Sequence, residues 1–175
     1  MKRTAIWAGL ALVLAGAGWG VWSNERILAD GRVVVLELAP VDPRSLMQGD
    51  YMALDYALAR DLPQHAQQRE PAPDAGALAT RQDGYAVVRL DAHRLATLVR
   101  AQPGAEPLGA DEIAIRYRVR AGRFRIATNA FFFQEGRGQA FSAARYGEFR
   151  VGEHGEPRLT ALLDANFNRL GENRY

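Results

Sequence analysis

Ser45 is the residue whose setting comes nearest to that of a catalytic nucleophile, because it lies just before the pair Gly49-Asp50. Such a serine needs a neutral lysine or a histidine beside its hydroxyl to accept the proton. The only lysine, Lys2, is separated from Ser45 by an apolar segment. The histidines stand in polar, turn-like stretches, where a solvated imidazole is the usual case: His65, His93 and His154. We therefore do not expect serine hydrolase chemistry.

Paired carboxylates and metal ligands are the other chemistries to weigh. Asp50 with Asp55, or Glu135 with Glu148, would suit glycoside hydrolysis only at a defined separation across a cleft. The chain has no cysteine and no histidine pair at helical spacing, so we expect no thiolate or paired-histidine metal site. We predict no catalytic residue, no metal and no cofactor, which makes an enzyme the less favoured interpretation.

The charge balance argues against a nucleic-acid partner. Of the 22 basic residues in the 175-residue chain, Lys2 and Arg3 precede the apolar segment, and the remaining 20 arginines match the 20 carboxylates. Nucleic-acid-binding domains carry a clustered basic excess instead. Hydrophobic residues make up 48% of the chain and charged residues 24%, which is ordinary for one folded domain with its own core.

An apolar segment near the N-terminus determines where the rest of the chain lies. Residues 5–22 contain no charged side chain, and as a helix they would span about 27 Å, close to the hydrocarbon thickness of a bilayer. We predict a membrane anchor over residues 1–24; the alternative is a cleaved signal peptide, with Ala15-Gly16-Ala17 as its cleavage pattern. Lys2 and Arg3 favour a cytoplasmic N-terminus, so both interpretations export residues 25–170.

The exported part is predicted to be mainly β. Residues 23–32 read as a helical or turn connector, residues 91–101 as a turn or short helix, and residues 60–84 as a long polar loop. We expect one compact antiparallel domain of about seven short strands, arranged as a single sheet, a barrel-like sheet or a sandwich. The predicted strand regions are residues 33–41, 51–59, 85–90, the hairpin 113–127, 130–134, 146–151 and 158–163.

The stretch PVDPRSLMQGDYMALDY, residues 40–56, is the most distinctive in the chain. Asp42-Pro43 is typical of a tight turn; Gly49 permits a positive φ or a close approach, and Asp50 can accept hydrogen bonds from neighbouring amides. Alternation along the following strand separates its side chains into two faces. The core face is predicted to carry Leu54 and Tyr56, and the other face Tyr51, which is available to a partner.

Strict alternation on both sides of Ala121-Gly122 predicts a β-hairpin with a two-residue turn. Apolar side chains from Ile115 to Ile126 face the core, so the arginines between them gather on the opposite face. That face is either a solvated sheet surface or a candidate patch for an anionic ligand or a partner. Its members are Arg116, Arg118, Arg120, Arg123 and Arg125.

The motif GDYMALDY, residues 49–56, resembles the pattern that names the GDYXXLXY protein family. The similarity extends to PVDPRSLMQ before it and to FFFQEG and ARYGEFRV after it. This resemblance implies a bacterial, membrane-associated protein, often encoded beside a multi-pass membrane protein, and it attaches no catalytic role to any residue. The positions that the pattern marks are Gly49, Asp50, Tyr51, Leu54 and Tyr56.

These observations lead to three functional hypotheses. The leading one is a single-span bacterial inner-membrane protein whose periplasmic β domain acts without catalysis, as an accessory subunit of a multi-pass membrane protein. One alternative is a cell-envelope hydrolase that acts on peptide or glycan near Asp50 and Tyr51. The other is a module that binds an anionic ligand through the arginine-rich hairpin face; the sequence does not identify a particular small molecule.

Overall fold

A computed structural model describes residues 2–39, 47–48, 51–67, 83–120, 122–134 and 138–172. Strand residues outnumber helical ones, the sheets are antiparallel and an apolar helix precedes them, so the predicted fold class is confirmed. The helices are α1 (Lys2–Asp30) and α2 (Ala57–Gln67). The described residues form eleven strands, more than the seven expected: β1 (Arg32–Glu37), β2 (Met47–Gln48), β3 (Tyr51–Ala53), β4 (Gly84–Leu90), β5 (Ala96–Gln102), β6 (Glu112–Arg120), β7 (Arg123–Ile126), β8 (Ala130–Phe132), β9 (Tyr146–Val151), β10 (Pro157–Leu163) and β11 (Arg169–Glu172).

Helix α1 is long and apolar enough to cross a membrane. It continues past Trp22 to Asp30, so the connector predicted at residues 23–32 is helical almost throughout. The helix ends at Asp30, and the amide of the next residue, Gly31, donates to the Ile27 carbonyl at 2.9 Å. A Cβ at Gly31 would collide with that same carbonyl oxygen, which explains why glycine stands where the chain turns into β1.

Three antiparallel sheets make up the domain. The first has the order β1-β9-β10-β11, the second β5-β4-β6-β7, and the third, a small one, β2-β3-β8. They do not form a closed barrel. The two larger sheets are joined where the Val35 amide donates to the Arg94 carbonyl at 2.8 Å, beside a parallel bridge between Val35 and Leu95.

The three sheets and α2 share one apolar core. In β9 every second residue is buried, as period-two alternation predicts, whereas β4 buries three consecutive residues, Ala86, Val87 and Val88. Full burial of a large apolar side chain stabilises the fold by about 1.5–3 kcal/mol. The largest fully buried side chains are Tyr56, Tyr117, Phe131, Phe149, Leu36, Leu62, Ile115, Ile126, Leu159 and Leu162.

Helix α2 corrects two sequence predictions. The second strand was expected over residues 51–59, but β3 ends at Ala53, and α2 occupies the first residues of the predicted loop. The side chain of Asp55 accepts a hydrogen bond from the Tyr56 amide at 3.0 Å and pairs with Arg60 at 3.4 Å, which favours a helix start here. Leu58 and Leu62, one helical turn apart, are then both buried in the core.

Two further sequence predictions have different outcomes. The segment 91–101 was expected to be a turn or short helix, but only its first part is a turn, and the rest is β5, which pairs with β4. Its β-branched residues Thr97 and Val99 favour a strand, here the edge strand beside β4. The predicted turn with Asp42-Pro43, Gly49 and Asp50, and the remainder of the predicted loop at residues 68–82, lie outside the described residues.

Candidate functional site

The hairpin β6–β7 has the predicted register. Tyr117 pairs with Ile126, Arg118 with Arg125, and Arg120 with Arg123. Gly122, in the turn between the strands, has a φ of 73°, a conformation that favours glycine. The apolar face of the hairpin packs into the core, and all five arginines predicted for the other face are exposed.

Among the described residues, few carboxylates balance the charge on this arginine face. Arg120 donates to Asp83 at 2.8 Å, and this contact lowers the pKa of the Asp83 carboxyl group. Within the part of the chain that the structure describes, Arg120 is the only one of the five that forms an ion pair. Arg118 and Arg125 lie directly opposite each other, so two like charges share one cross-strand position.

A groove of about 680 Å³ runs between this hairpin, β8 and the start of β10. We call it the arginine groove. Its wall includes the loop that joins β7 to β8, together with Phe132, whose ring is 69% exposed. Arg123 does not line it. The charged residues that line the groove are Arg116, Arg118, Arg120, Arg125, Glu156 and Arg158.

Two residues of the motif position the groove wall. The Tyr56 hydroxyl donates to the Thr128 carbonyl at 2.6 Å, and the Leu54 amide donates to the Asn129 carbonyl at 2.8 Å. Both motif side chains are buried, as the alternation predicted, and the Tyr56 ring meets Phe149 edge-on. Leu54 and Tyr56 therefore hold the β7–β8 loop in place from the core side.

The third described motif residue, Tyr51, lies beside Phe132, which lines the groove. It pairs with Phe132 across β3 and β8, and the two rings lie 5.8 Å apart between centroids. Tyr51 is half-buried, on the face opposite Leu54 and Tyr56, as the sequence indicated. Two residue sets that the sequence left separate, the motif strand and the arginine face, thus meet at Phe132.

A second hairpin supplies the remaining lining. The Gly155 carbonyl, in the connection between β9 and β10, accepts a hydrogen bond from the Arg116 amide at 2.8 Å. Gly155 has a φ of 79°, and a Cβ there would lie 2.8 Å from the Ala114 carbonyl oxygen. This close approach brings Glu156 and Arg158 to the groove. Neither residue could be placed at this site from the sequence, because their positions here follow from the tertiary fold alone.

The histidines and carboxylates considered from the sequence are not gathered into one site. No group of three or more His, Asp or Glu side chains among the described residues is close enough to hold a metal ion. His93 and His154 lie in turns, and His93 stacks on Phe167, with ring centroids 4.8 Å apart. His65 lies in α2 rather than in a turn, which corrects its predicted setting. Glu135 is outside the described residues.

A separate cluster lies at the far edge of the second sheet, around Arg100. Its guanidinium group donates to the Glu112 carboxylate at 2.8 Å, to the Gln102 side chain at 3.1 Å and to the Pro107 carbonyl at 2.9 Å. Glu112 also accepts from the Gly109 amide at 2.9 Å. These donors lower the pKa of Glu112 to about 2. We call this set the Arg100 cluster; it fastens the loop between β5 and β6.

The fold defines the class of the protein: a mainly β domain carried on a helix that is long and apolar enough to cross a membrane. The chain belongs to the GDYXXLXY protein family, whose sequence model matches residues 13–162. This match runs from within α1 into β10 and so includes the motif and the arginine hairpin. No curated protein matches the chain, and no solved structure does.

Proposed function

We propose that this protein is a single-span membrane protein whose β domain acts without catalysis, as an accessory subunit of a multi-pass membrane protein. The observation that carries the proposal is the continuity of α1 with the domain. The helix runs unbroken from Lys2 to Asp30, and Gly31 alone separates it from β1. A domain joined to its anchor in this way stays beside the membrane surface, where the exposed loops of another membrane protein lie.

Side-chain contacts hold the end of α1 against the domain. Arg158 Nε, from β10, donates to Asn24 Oδ1 at 2.6 Å. Arg150 Nη1, from β9, donates to the Gly31 carbonyl at 3.0 Å. These two hydrogen bonds fix the direction in which α1 leaves the first sheet, so the domain would present one defined face to a neighbouring membrane protein.

The apolar side chains of α1 need a nonaqueous environment. Trp7 is 69% exposed and Leu12 is 76% exposed, and none of the candidate span is buried against the domain. Trp19 and Trp22 lie together near the end of the apolar segment, with Arg26 5.6 Å from the Trp22 ring, as is usual at a membrane–water interface. Lipid or the helices of a membrane partner would supply this environment.

The proposed orientation rests on charge. Lys2 and Arg3 precede the span, and positive residues are retained on the cytoplasmic side. The domain would then lie in the periplasm of a bacterial inner-membrane protein. A reporter that is active only in the periplasm, fused after Tyr175, should be active, and the protein should resist carbonate extraction. An inactive reporter in a fusion that is produced at full length would exclude this orientation, and a mature chain lacking residues 1–17 would exclude the anchor.

Copurification in mild detergent tests the partner. A tagged full-length chain should recover one multi-pass membrane protein in near-stoichiometric amount. In a matched control, an unrelated single-span sequence replaces residues 5–22, so the domain stays at the membrane. If this variant still recovers the partner, the β domain binds it; if recovery is lost, α1 binds it. Recovery of the chain alone would contradict the proposal. Turnover of cell-wall peptide or glycan by the purified chain would favour the hydrolase alternative.

A further inference from the structure

The arginine groove carries more positive charge than its described neighbours neutralise. Five of its lining residues are arginines and one, Glu156, is a carboxylate. Arg118 and Arg125 lack an ion-pair partner among the described residues, although they oppose each other across the hairpin. Like charges placed directly opposite each other destabilise a sheet. Folding therefore does not explain this arrangement, whereas an anion bound between the two guanidinium groups would.

We propose that the arginine groove binds a phosphate-bearing anion. A guanidinium group donates two parallel hydrogen bonds to phosphate oxygens, and paired arginines can share the several oxygens of one phosphate or diphosphate. The volume of about 680 Å³ exceeds what a single small ion fills. Phe132, exposed at the rim, adds an apolar surface for the organic part of the ligand. Such a binding site would be a function in addition to the proposed accessory role and would not depend on it.

One end of the groove lies at the membrane-proximal end of the domain. Arg158 lines the groove and also donates to Asn24, which follows Trp22 by two residues in α1. If α1 spans the bilayer, Arg158 lies at the level of the lipid headgroups. The phosphate can therefore come from two sources, the headgroup of an anionic lipid or a soluble phosphate ester, and the same arginines would bind either.

The hairpin offers a matched control for this site. Arg123 is exposed on the same hairpin and does not line the groove, and Arg89 is exposed on the neighbouring strand β4. The groove variant Arg118→Gln with Arg125→Gln and the control variant Arg89→Gln with Arg123→Gln each remove two positive charges from the second sheet. A general loss of positive charge should affect both variants alike, whereas a site in the groove should distinguish them.

The experiment uses the full-length protein in neutral detergent with two probes, inorganic pyrophosphate and phosphatidylglycerol, the latter compared with phosphatidylcholine. Binding is measured from the shift in melting temperature of the domain, with sodium chloride at equal ionic strength as the reference. The groove variant should bind at least about tenfold more weakly than the natural protein, because two charge-assisted pairs are lost. The control should stay within about twofold. Arg118→Lys with Arg125→Lys should be intermediate, because lysine keeps the charge without the bidentate geometry.

The outcomes separate the sources and the alternatives. If the groove variant, but not the control variant, loses only the binding of pyrophosphate, a soluble phosphate ligand is supported. If the groove variant, but not the control variant, loses only the binding of phosphatidylglycerol, a lipid headgroup is supported. No response of the natural protein to either probe, or equal losses in the groove and control variants, would overturn the proposal. If neither probe binds and the groove variant instead loses the multi-pass partner, the groove is a protein-docking surface. That result would leave the accessory role standing.

Discussion

The second sheet carries arginines in two regions, the Arg100 cluster and the arginine groove, and the regions differ in what the guanidinium groups contact. In the Arg100 cluster, each guanidinium nitrogen of Arg100 donates to an acceptor within the fold. In the arginine groove, Arg118 and Arg125 face each other, and the described residues supply no carboxylate to either. The first region stabilises a loop; in the second, no described carboxylate pairs with Arg118 or Arg125, as the proposed anion site requires.

The comparison shows that partners, rather than the number of charges, distinguish a structural arginine from a binding one. Arg100 is drawn to the protein by Glu112, itself held by a backbone amide. Such an arginine stabilises the fold, because the guanidinium group and the carboxylate both have hydrogen-bond partners in the folded protein. An arginine without such partners contributes little to folding and retains its full affinity for an added anion. Substitutions at Tyr56, at Glu112 and Arg100, and at the two groove arginines test this division.

The largest expected effect concerns the support of the groove. Tyr56→Ala should lower the free energy of unfolding by about 3–5 kcal/mol, because a fully buried aromatic ring is lost from the core. It should also weaken pyrophosphate binding, since the hydrogen bond to Thr128 that fixes the groove wall is removed. Urea unfolding followed by near-ultraviolet circular dichroism of the tyrosines measures the first effect; all three tryptophans lie in α1 and would not report on the domain.

Tyr56→Phe separates packing from positioning. It keeps the ring and removes only the hydroxyl that donates to Thr128, so it should cost about 1 kcal/mol. Weaker pyrophosphate binding in this variant, at nearly natural stability, would show that the motif tyrosine positions the groove. Unchanged binding would restrict Tyr56 to a role in the core.

An intermediate effect is expected at the Arg100 cluster, and it depends on pH. The folded protein lowers the pKa of Glu112 from 4.5 to about 2, because Arg100 and the Gly109 amide donate to the carboxylate. The stabilisation from this pair is therefore complete above pH 4.5 and is lost as the pH falls toward 2. Thermal melts of the natural protein across this window should show the loss.

Glu112→Gln is the control for that assignment. It cannot ionise, so the part of the acid-induced loss of stability that belongs to Glu112 should be absent from the variant and should appear as the difference between the natural protein and the variant. The groove variant should instead keep the natural pH dependence between 4.5 and 2, since neither Arg118 nor Arg125 contacts Glu112. An identical acid response in Glu112→Gln and the natural protein would show that other carboxylates control it.

The sequence predicted those parts of the fold that local patterns specify. Alternation gave the hairpin register and the burial of Leu54 and Tyr56, because both follow from the period of a strand. It misplaced the end of β3, since the buried set Met52, Leu54, Tyr56 and Leu58 continues the same alternation into a helix. The helix is favoured by the spacing of Leu58 and Leu62 and by the contacts of Asp55.

The groove was less predictable than the fold. Its arginine face is local to one hairpin, but Arg158 and Glu156 reach it through the approach of Gly155 to Arg116. Phe132 was also not predicted, although alternation along the strand expected at residues 130–134 could have placed it on the face opposite the buried Phe131. Strand order determines which residues lie beside each arginine, and no local pattern specifies strand order. The sequence therefore could not show that Arg100 has ion-pair and hydrogen-bond partners, or that Arg118 has no ion-pair partner among the described residues.

The smallest expected effect is on the stability of the groove variant. Arg118→Gln with Arg125→Gln should change the free energy of unfolding by no more than about 0.5 kcal/mol, because both side chains are exposed. Any change at low salt should be a slight gain in stability, because the repulsion between two like charges is removed. This gain should vanish at high salt, where the Debye screening length falls to about 3 Å. Arg100→Gln should destabilise more, because it leaves Glu112 without its ion pair. Urea unfolding of both variants at two salt concentrations makes the comparison. If the groove variant lost as much stability as Arg100→Gln, its arginines would be structural, and the division between the two regions would be wrong.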